Sequence, residues 1–313
     1  MTAIRTENLT KHYGTVKALH ELNLEVPENV VFGFLGPNGA GKSTTIKLLT
    51  AFARPTSGGA FVAGERVTSD NLALRAKIGF LPDVPAFYDW MTGREFLHFV
   101  GGLHGLTSKD VNIRTEEMLE LAELKQAGNR RIGGFSRGMR QRLGIAQALI
   151  NHPKVIFMDE PTSALDPIGR REVLALISRL KKDATVFMST HILSDVERVC
   201  DMVGIINKGA LVTVSSVSEL QNRYARSVFE MEFLEDGNRF IEEIDRVAWL
   251  SKPEFVPDHG HPVVRVAATN VGLAKKELPR LIYQSGLTLT RYELVMPDLE
   301  DIFVDVINGR DSK

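Results

Sequence analysis

The chain has 313 residues, enough for two domains or one large one, and its 43% hydrophobic and 25% charged residues describe a globular protein able to bury a full core. Lys plus Arg is 38 and Asp plus Glu is 39, so the formal net charge of −1 gives no support to a bulk nucleic-acid binder. A single cysteine, Cys200, excludes an internal disulfide and a zinc cluster and fits a reducing compartment. The start MTAIRTENLTKHYG lacks the apolar core of a signal peptide, and the longest apolar runs, such as VVFGFLG, stay far below the roughly 18–20 residues that span a bilayer. Any link to a membrane is therefore expected through a partner.

Residues 2–26 alternate in polarity, which predicts two edge-type strands joined around Gly14. VVFGFL (30–35) is a short continuous apolar run, the mark of a fully buried strand; glycines follow, and KSTTIKLLT then reads as a helix. Gly58, Gly59 and Gly64 are expected to bracket a short strand, AFVAG, and KIGFLP another, stopped by Pro82. Between about 92 and 152, REFLHFVGGLHGL, DVNIRTEEMLELAEL and RGMRQRLGIAQALI carry helical spacing, a helical block inserted in an α/β chain. Strands resume at KVIFM, ATVFMST and MVGIIN, with helices IGRREVLALISRLKK and ILSDVERVC between them, so a largely parallel sheet is expected. Past residue 217 the pattern reads strand SVFEMEF, helix RFIEEIDRVAWL, a hairpin of PEFV with PVVRVAA across PDHGH, helix GLAKKELPRLIYQSG with a Pro279 that threatens a kink, strand LTLTRYELV, and a last helix in DLEDIFVDVING. That β-α-β-β-α-β order is the ferredoxin-like one.

GPNGAGKST (Gly36, Pro37, Asn38, Gly39, Ala40, Gly41, Lys42, Ser43, Thr44) matches G-x-x-x-x-G-K-[ST] between a buried strand and a helix. Glycines let backbone N–H groups turn inward around phosphate oxygens, Lys42 reaches the β- and γ-phosphates, the Ser43 hydroxyl ligates Mg²⁺, and the helix N-terminus adds partial positive charge. The bland alternative, a glycine-rich structural turn, does not explain strand, loop and helix in that order. VIFMDEP delivers Asp159 and Glu160 to the carboxyl end of a central strand, where such sheets bind ligands. Asp159 suits Mg²⁺ held partly through water, and Glu160 is placed to orient or deprotonate an attacking water. An acidic pair after a strand is otherwise a solvated loop start. A GTPase is a rival reading: DMVG at 201–204 spells D-x-x-G and NKGA resembles the start of N-K-x-D. Ala210 stands where the acid is needed, and the two pieces are almost adjacent, so guanine specificity is unsupported.

Taken together, these residues resemble the ATP-binding subunit of ABC transporters. FSRGMRQR resembles that family's signature motif, with Ser136, Arg137, Gly138 and Met139 at its centre. SALD, ending at Asp166, is similar to its D-loop, STH, ending at His191, to its switch histidine, and Tyr13 stands where the family stacks an aromatic ring on adenine; Asp83 occupies the Q-loop position. The resemblance covers residues 1 to about 217, the ATP-binding domain, with a helical subdomain at about 92–152, and leaves 218–313 as an accessory α+β domain. It implies a P-loop ATPase core with a mostly parallel sheet and N-terminal antiparallel strands, and the cofactors ATP and Mg²⁺. Two such subunits, copies or close relatives, would pair head to tail, with Ser136 and the first N–H groups of its helix contacting the γ-phosphate bound by the other. Glu160, His191 and Lys42 would carry catalysis, and separate permease subunits would hold the protein at the cytoplasmic face of a membrane. No nucleic-acid partner is expected.

Taken singly, Tyr13 reads as a packing aromatic, His191 as a helix-start histidine, and Asp166 before Pro167 as an N-cap. Cys200 and His152 read as structural, and the pairs beginning at Arg130, Arg170, Lys181 and Lys275 as solvated faces. The chain departs from the family at Arg137, which replaces a signature glycine and would cost roughly 1–2 kcal/mol if that backbone required positive φ. It departs again at Asp83, a shorter residue than the usual glutamine and an acceptor only when ionised, which puts contact with Mg²⁺ or water in doubt. A basic residue at 137, an acidic one at 83 and the tail MPDLEDIFVDVI resemble the subgroup of drug and antibiotic exporters. Two alternatives stay open: an ABC ATPase acting on DNA or ribosomes, which predicts coiled coils, two ATPase domains or basic tracts, and a module that binds ATP without turning it over, which Glu160, Lys42 and His191 argue against.

Overall fold

In the computed structural model the described residues are 1–163, 165–223, 227–258, 261–295 and 299–307. They form two compact units, Met1–Val217 and Ser218–Lys313.

In the first unit, β1 (Thr2–Tyr13) turns at Gly14 into β2 (Val16–Leu22), and β3 (Glu25–Pro27) returns along β1. The buried run becomes β4 (Val31–Leu35), and the glycine loop leads into α1 (Lys42–Leu49). Next come β5 (Ser57–Val62), β6 (Glu65–Arg66), α2 (Leu72–Lys77) and β7 (Ile78–Leu81). The inserted block holds α3 (Gly93–Leu103), α4 (Ser108–Leu121) and α5 (Arg137–Leu149). The chain then alternates β8 (Val155–Asp159), α6 (Pro167–Leu180), β9 (Thr185–Thr190), α7 (Leu193–Val199), β10 (Met202–Asn207) and β11 (Ala210–Ser216), and the boundary with the second unit falls at the start of α8 (Val217–Arg223).

A six-stranded sheet has the order β11-β10-β4-β9-β8-β7, parallel except for β11; β2-β1-β5-β6, with β3 beside β1, form an antiparallel sheet. Side chains alternate across a strand, so each continuous apolar run feeds two cores. Phe32, Phe34, Val155, Phe157 and Phe187 pack on one face, against α1 and the antiparallel sheet. Val31, Ile156, Met158, Val186 and Met188 pack on the other, with α3, α4, α5 and α6. The carboxyl ends of β4, β8 and β9 are thereby held side by side on two rigid layers.

Three expectations change in the first unit. Gly58 and Gly59 lie inside β5 rather than bracketing it. Gly58 has φ +77° where the β1–β5 register slips, and an added Cβ would fall 2.2 Å from the Asn8 carbonyl, so this is a bulge only glycine fills. NKGA is a hairpin turn between Asn207 and Ala210, with Lys208 and Gly209 both at positive φ, and it leads into β11, a strand the sequence reading missed. Asp201, the first residue of DMVG, accepts the Val31 N–H and pairs with Lys181 at 2.8 Å, so it ties down the amino ends of two strands, and Lys181 is not merely solvated. Cys200 lies against Val196 and the space above Gly33, and burial, then the neighbouring Asp201 and Asp195, push its thiol far above the ordinary range.

In the second unit, β12 (Ser227–Phe233), α9 (Asn238–Ile244), β13 (Glu254–Asp258), β14 (His261–Ala268), α10 (Val271–Ser285) and β15 (Leu289–Val295) precede α11 (Leu299–Ile307). The sheet order is β13-β14-β12-β15 with every neighbour antiparallel, the ferredoxin-like arrangement. His259 and Gly260, within the PDHGH stretch expected as a hairpin turn, lie outside the described residues, as do Met296–Asp298 and the last residues from Asn308. Phe229, Met231 and Phe233 of β12 meet Phe240 and Ile244 of α9 and Leu278 and Ile282 of α10. α10 runs on through Pro279. α9 is shorter than the expected RFIEEIDRVAWL helix: beyond Ile244 the chain turns, so that Trp249 and Leu250 fold back onto the core.

Candidate nucleotide site

α2, α3, α4, α5 and α6 each carry a side-chain cap, from Asn71, Thr92, Thr107, Ser136 and Asp166. The helix after the glycine loop has none: its N-cap is Gly41, at φ +112°, where a Cβ would stand 2.7 Å from the Ala18 carbonyl oxygen. The first-turn N–H groups of α1 are thus left for an anion, in a loop held closed by Ala40 N–H to the Pro37 carbonyl (3.1 Å). Lys42, only 6% exposed, curls over the loop and donates to the carbonyls of Gly36 (2.7 Å) and Pro37 (3.4 Å).

Strand pairing brings the acids to this loop. Asp159 lies opposite Ser189 in the β8–β9 register, and Leu35 opposite Thr190. Asp159 Oδ1 accepts from Ser43 Oγ at 3.1 Å and from Ser189 Oγ at 2.5 Å. Glu160 leaves the strand at φ +48°, its N–H donating to the Ser189 carbonyl. Its carboxylate then sits between Lys42 Nζ (3.5 Å) and His191 Nδ1 (2.9 Å). An ionised carboxylate only accepts, so with Glu160 ionised Nδ1 carries the proton and Nε2 is left for another partner. A left-handed non-glycine residue is held only where its surroundings over-determine it.

Asp83, just after β7 with only part of its side chain shielded, belongs to the same electrostatic field. Burial first, then the charges of Asp159 and Glu160, push its carboxyl above the ordinary range, against a smaller pull from Arg137 and His191. At the start of α5 the Ser136 hydroxyl accepts the Met139 N–H (3.2 Å), and Arg137 is an ordinary first helical residue, absent from the positions of positive φ. Its replacement of glycine therefore costs no backbone strain. Gly138 also has ordinary φ, and a Cβ there would meet Gly169 Cα at 3.6 Å and Ser136 Oγ at 4.0 Å, ordinary contacts. Asp166 caps α6 through the Gly169 N–H (2.9 Å), before Pro167; its neighbour Ala164 lies outside the described residues. Tyr13, 49% exposed, ends β1 with the Lys11 ammonium 4.9 Å from its ring centroid, in a hairpin that abuts the glycine loop at Ala18.

Comparison with known proteins identifies the family. A family model described as ABC transporter matches residues 19–163. The chain is 39% identical over 303 residues to the uncharacterised ABC transporter ATP-binding protein YxlF of Bacillus subtilis, covering 97% of this chain and 99% of that one. This chain belongs to the ABC transporter ATP-binding proteins. The ABC ATPase is also 36% identical to the bacitracin transport ATP-binding protein BcrA of Bacillus licheniformis, over 98% of each chain. Among solved structures it is similar to the dimeric structure of a bacterial ABC transporter cassette, with TM-score 0.61 and 26% identity over 68% of this chain and 98% of that one.

The sequence reading missed Ser189 as a partner of Asp159, and it left Thr162, Arg170 and Asp195 unremarked or assigned to surface. Arg170 is no solvated face: it reaches the buried Asp195 at 2.6 Å. Only the pairing of β8 with β9 brings these residues together. The oxygen pair of Ser43 and Asp159 suits a hard divalent cation that takes its remaining ligands from phosphate and water. Among the described residues no cluster of three or more His, Cys, Asp or Glu could hold a metal by itself, and no helix is long and apolar enough to cross a membrane.

Proposed function

We propose that this ABC ATPase powers export as one of a pair of head-to-tail subunits docked on separate permease subunits at the cytoplasmic face of a membrane. The observation that carries the catalytic reading is the Glu160 carboxylate held between the Lys42 ammonium and the His191 imidazole at the end of β8. ATP lies with its phosphates on the Gly36–Thr44 loop, where the uncapped α1 N-terminus and Lys42 meet their charge. Phosphate binding draws Lys42 away from Glu160, which leaves that carboxylate with His191 and free to take a proton from water. His191 Nε2 faces the γ-phosphate. Ser43 and Asp159 hold Mg²⁺, which supplies charge neutralisation at the phosphates when bound. Tyr13 stacks on the base. The α5 N-terminus, with Ser136, Arg137, Gly138 and Met139, meets the γ-phosphate of the opposite subunit, so the signature segment needs no catalytic side chain. Asp166 combines helix capping with contact across the pair.

Export follows from the likeness to a bacitracin transport ATP-binding protein and from the Asp83, Arg137 and C-terminal features. Docking is supported by apolar side chains left in solvent between β7 and the end of α3: Val84 (71% exposed), Tyr88, Trp90 (69%), Phe99 and Leu103 (72%). Tyr88 packs on both Trp90 and Phe99, at centroid distances of 5.9 and 6.0 Å, so these rings form one patch. The unit from Ser218 is an accessory domain of the transporter.

The test is steady-state ATPase activity of the wild type beside Gly138→Asp, with monomer ATP binding measured in both. Gly138→Asp abolishes turnover and leaves binding intact, because it puts an anion where the partner's γ-phosphate docks; normal hydrolysis would sink the paired-subunit reading. Co-purification with a multi-span permease separates a transporter from a DNA or ribosome factor.

A further inference from the structure

Asp195 is 1% exposed and lies four residues after His191, in the first turn of α7. Its two carboxylate oxygens face two different segments. Oδ2 accepts from Thr162 Oγ1 at 2.5 Å, and Thr162, itself buried, lies two residues beyond Glu160. Oδ1 accepts from Arg170 Nε at 2.6 Å, and Arg170 lies in the first turns of α6, just past Asp166; its Nη2 also donates to Ser194 Oγ at 2.9 Å. One buried anion therefore binds the segment leaving Glu160, the helix start after Asp166, and the segment leaving His191. A buried carboxylate is costly unless its lone pairs are answered, and here both oxygens are.

The residue this clamp steadies is strained. Glu160 is held at φ +48°, a region that costs a non-glycine residue roughly 1–2 kcal/mol. Its carbonyl accepts the Ser163 N–H at 3.1 Å, and the Leu165 N–H donates to the Thr162 carbonyl at 3.3 Å, so Thr162 is the middle of the turn that begins at Glu160. Fixing Thr162 fixes that turn. Because α7 carries that carboxylate, its bond to Thr162 sets the distance between Glu160 and His191.

We propose that Asp195 is a positioning residue for ATP hydrolysis: through Thr162 and Arg170 it holds Glu160 and His191 in register and orients the Asp166 turn. This rests on Glu160 and His191 acting as proposed above. Asp195, 1% exposed, acts only through Thr162 and Arg170.

The experiment compares Thr162→Val, Thr162→Ser, Asp195→Asn and Glu160→Gln by steady-state ATPase kinetics, affinity for a fluorescent ATP analogue, and thermal melting. Thr162→Val removes one hydroxyl at nearly constant shape, so it remains informative if Asp195→Asn fails to fold. In Thr162→Val and Asp195→Asn, kcat falls about tenfold, KM and nucleotide affinity stay within about twofold, and Thr162→Ser restores turnover. In the Glu160→Gln background Thr162→Val produces no further loss. A kcat unchanged in Thr162→Val while Glu160→Gln is inactive overturns the positioning role alone. A loss that appears in KM, or that only tracks melting temperature, overturns it as well. Full turnover in Glu160→Gln overturns the base assignment and this proposal with it.

Discussion

Glu160 and Glu230 are both largely buried carboxylates, with side chains 15% and 8% exposed, yet their surroundings differ in kind. Glu230 sits in the middle of β12 and meets two guanidiniums, Arg265 from β14 and Arg291 from β15, the latter at 3.4 Å. Arginine does not lose its charge, so these pairs form a lasting ladder across the sheet. Glu160 leaves its strand at positive φ and meets a lysine and a histidine. The lysine has a competing claim from phosphate, and the imidazole has a second ring nitrogen for another partner. The same residue type is thus a cross-strand tie in one unit and a poised acceptor in the other, and its partners, more than its burial, decide which.

The contrast breaks most visibly at Glu160. Glu160→Gln keeps the shape and removes the base, so kcat drops on the order of 10²–10⁴-fold while ATP binding persists, in a steady-state phosphate-release assay. Equal rates in the two proteins would remove the distinction. At Glu230 the expected effect is on stability: Glu230→Ala removes the carboxylate that Arg265 and Arg291 share, Arg291 keeping Glu232 at 3.5 Å, and costs about 1–3 kcal/mol in denaturant unfolding, with kcat within twofold of wild type. A fully folded Glu230→Ala protein without turnover would tie the second unit into catalysis.

Smaller effects sharpen the picture at the edges of the site. Arg137→Gly lowers stability by about 0.5–1 kcal/mol, since glycine is the poorer residue at a helical position free of strain. A gain in stability would show that Arg137 is strained after all. The subtlest test concerns Asp83, whose folded-state pKa is raised by burial and by Asp159 and Glu160. A raised carboxyl favours the folded state while protonated and loses that contribution as pH rises through its folded value. Asp83→Asn should therefore melt higher than wild type at neutral pH. The difference should vanish as pH falls below the ordinary aspartate range of about 3.9, where the wild-type side chain is neutral in both states. A difference independent of pH would mean that the change acts through packing.

Much of the candidate site could be read locally. The glycine loop, Lys42 and Ser43 lie within nine consecutive residues, and Asp159 and Glu160 follow directly on a run whose continuous apolarity marks a central strand. The cap role of Asp166 before Pro167 is likewise written in neighbouring residues. The second unit's strand and helix order was legible from periodicity, although α9 ends early, because what stops it is the packing of Trp249 and Leu250 on a distant sheet.

Other decisions belong to the tertiary structure alone. That Ser189 faces Asp159, that His191 reaches Glu160, and that Arg170 turns inward to Asp195 all depend on β9 lying between β4 and β8. Strands some 30 positions apart choose their neighbours by filling the cores on both faces of a sheet, and no local pattern records that choice. Whether Arg137 is strained was likewise a question about φ, answered by its place as the first residue of α5. The sequence by itself determined which chemical groups the protein owns and which strand ends carry them. The fold decided which of them meet, because hydrogen bonds and ion pairs reach only a few ångströms and only packing brings distant segments that close.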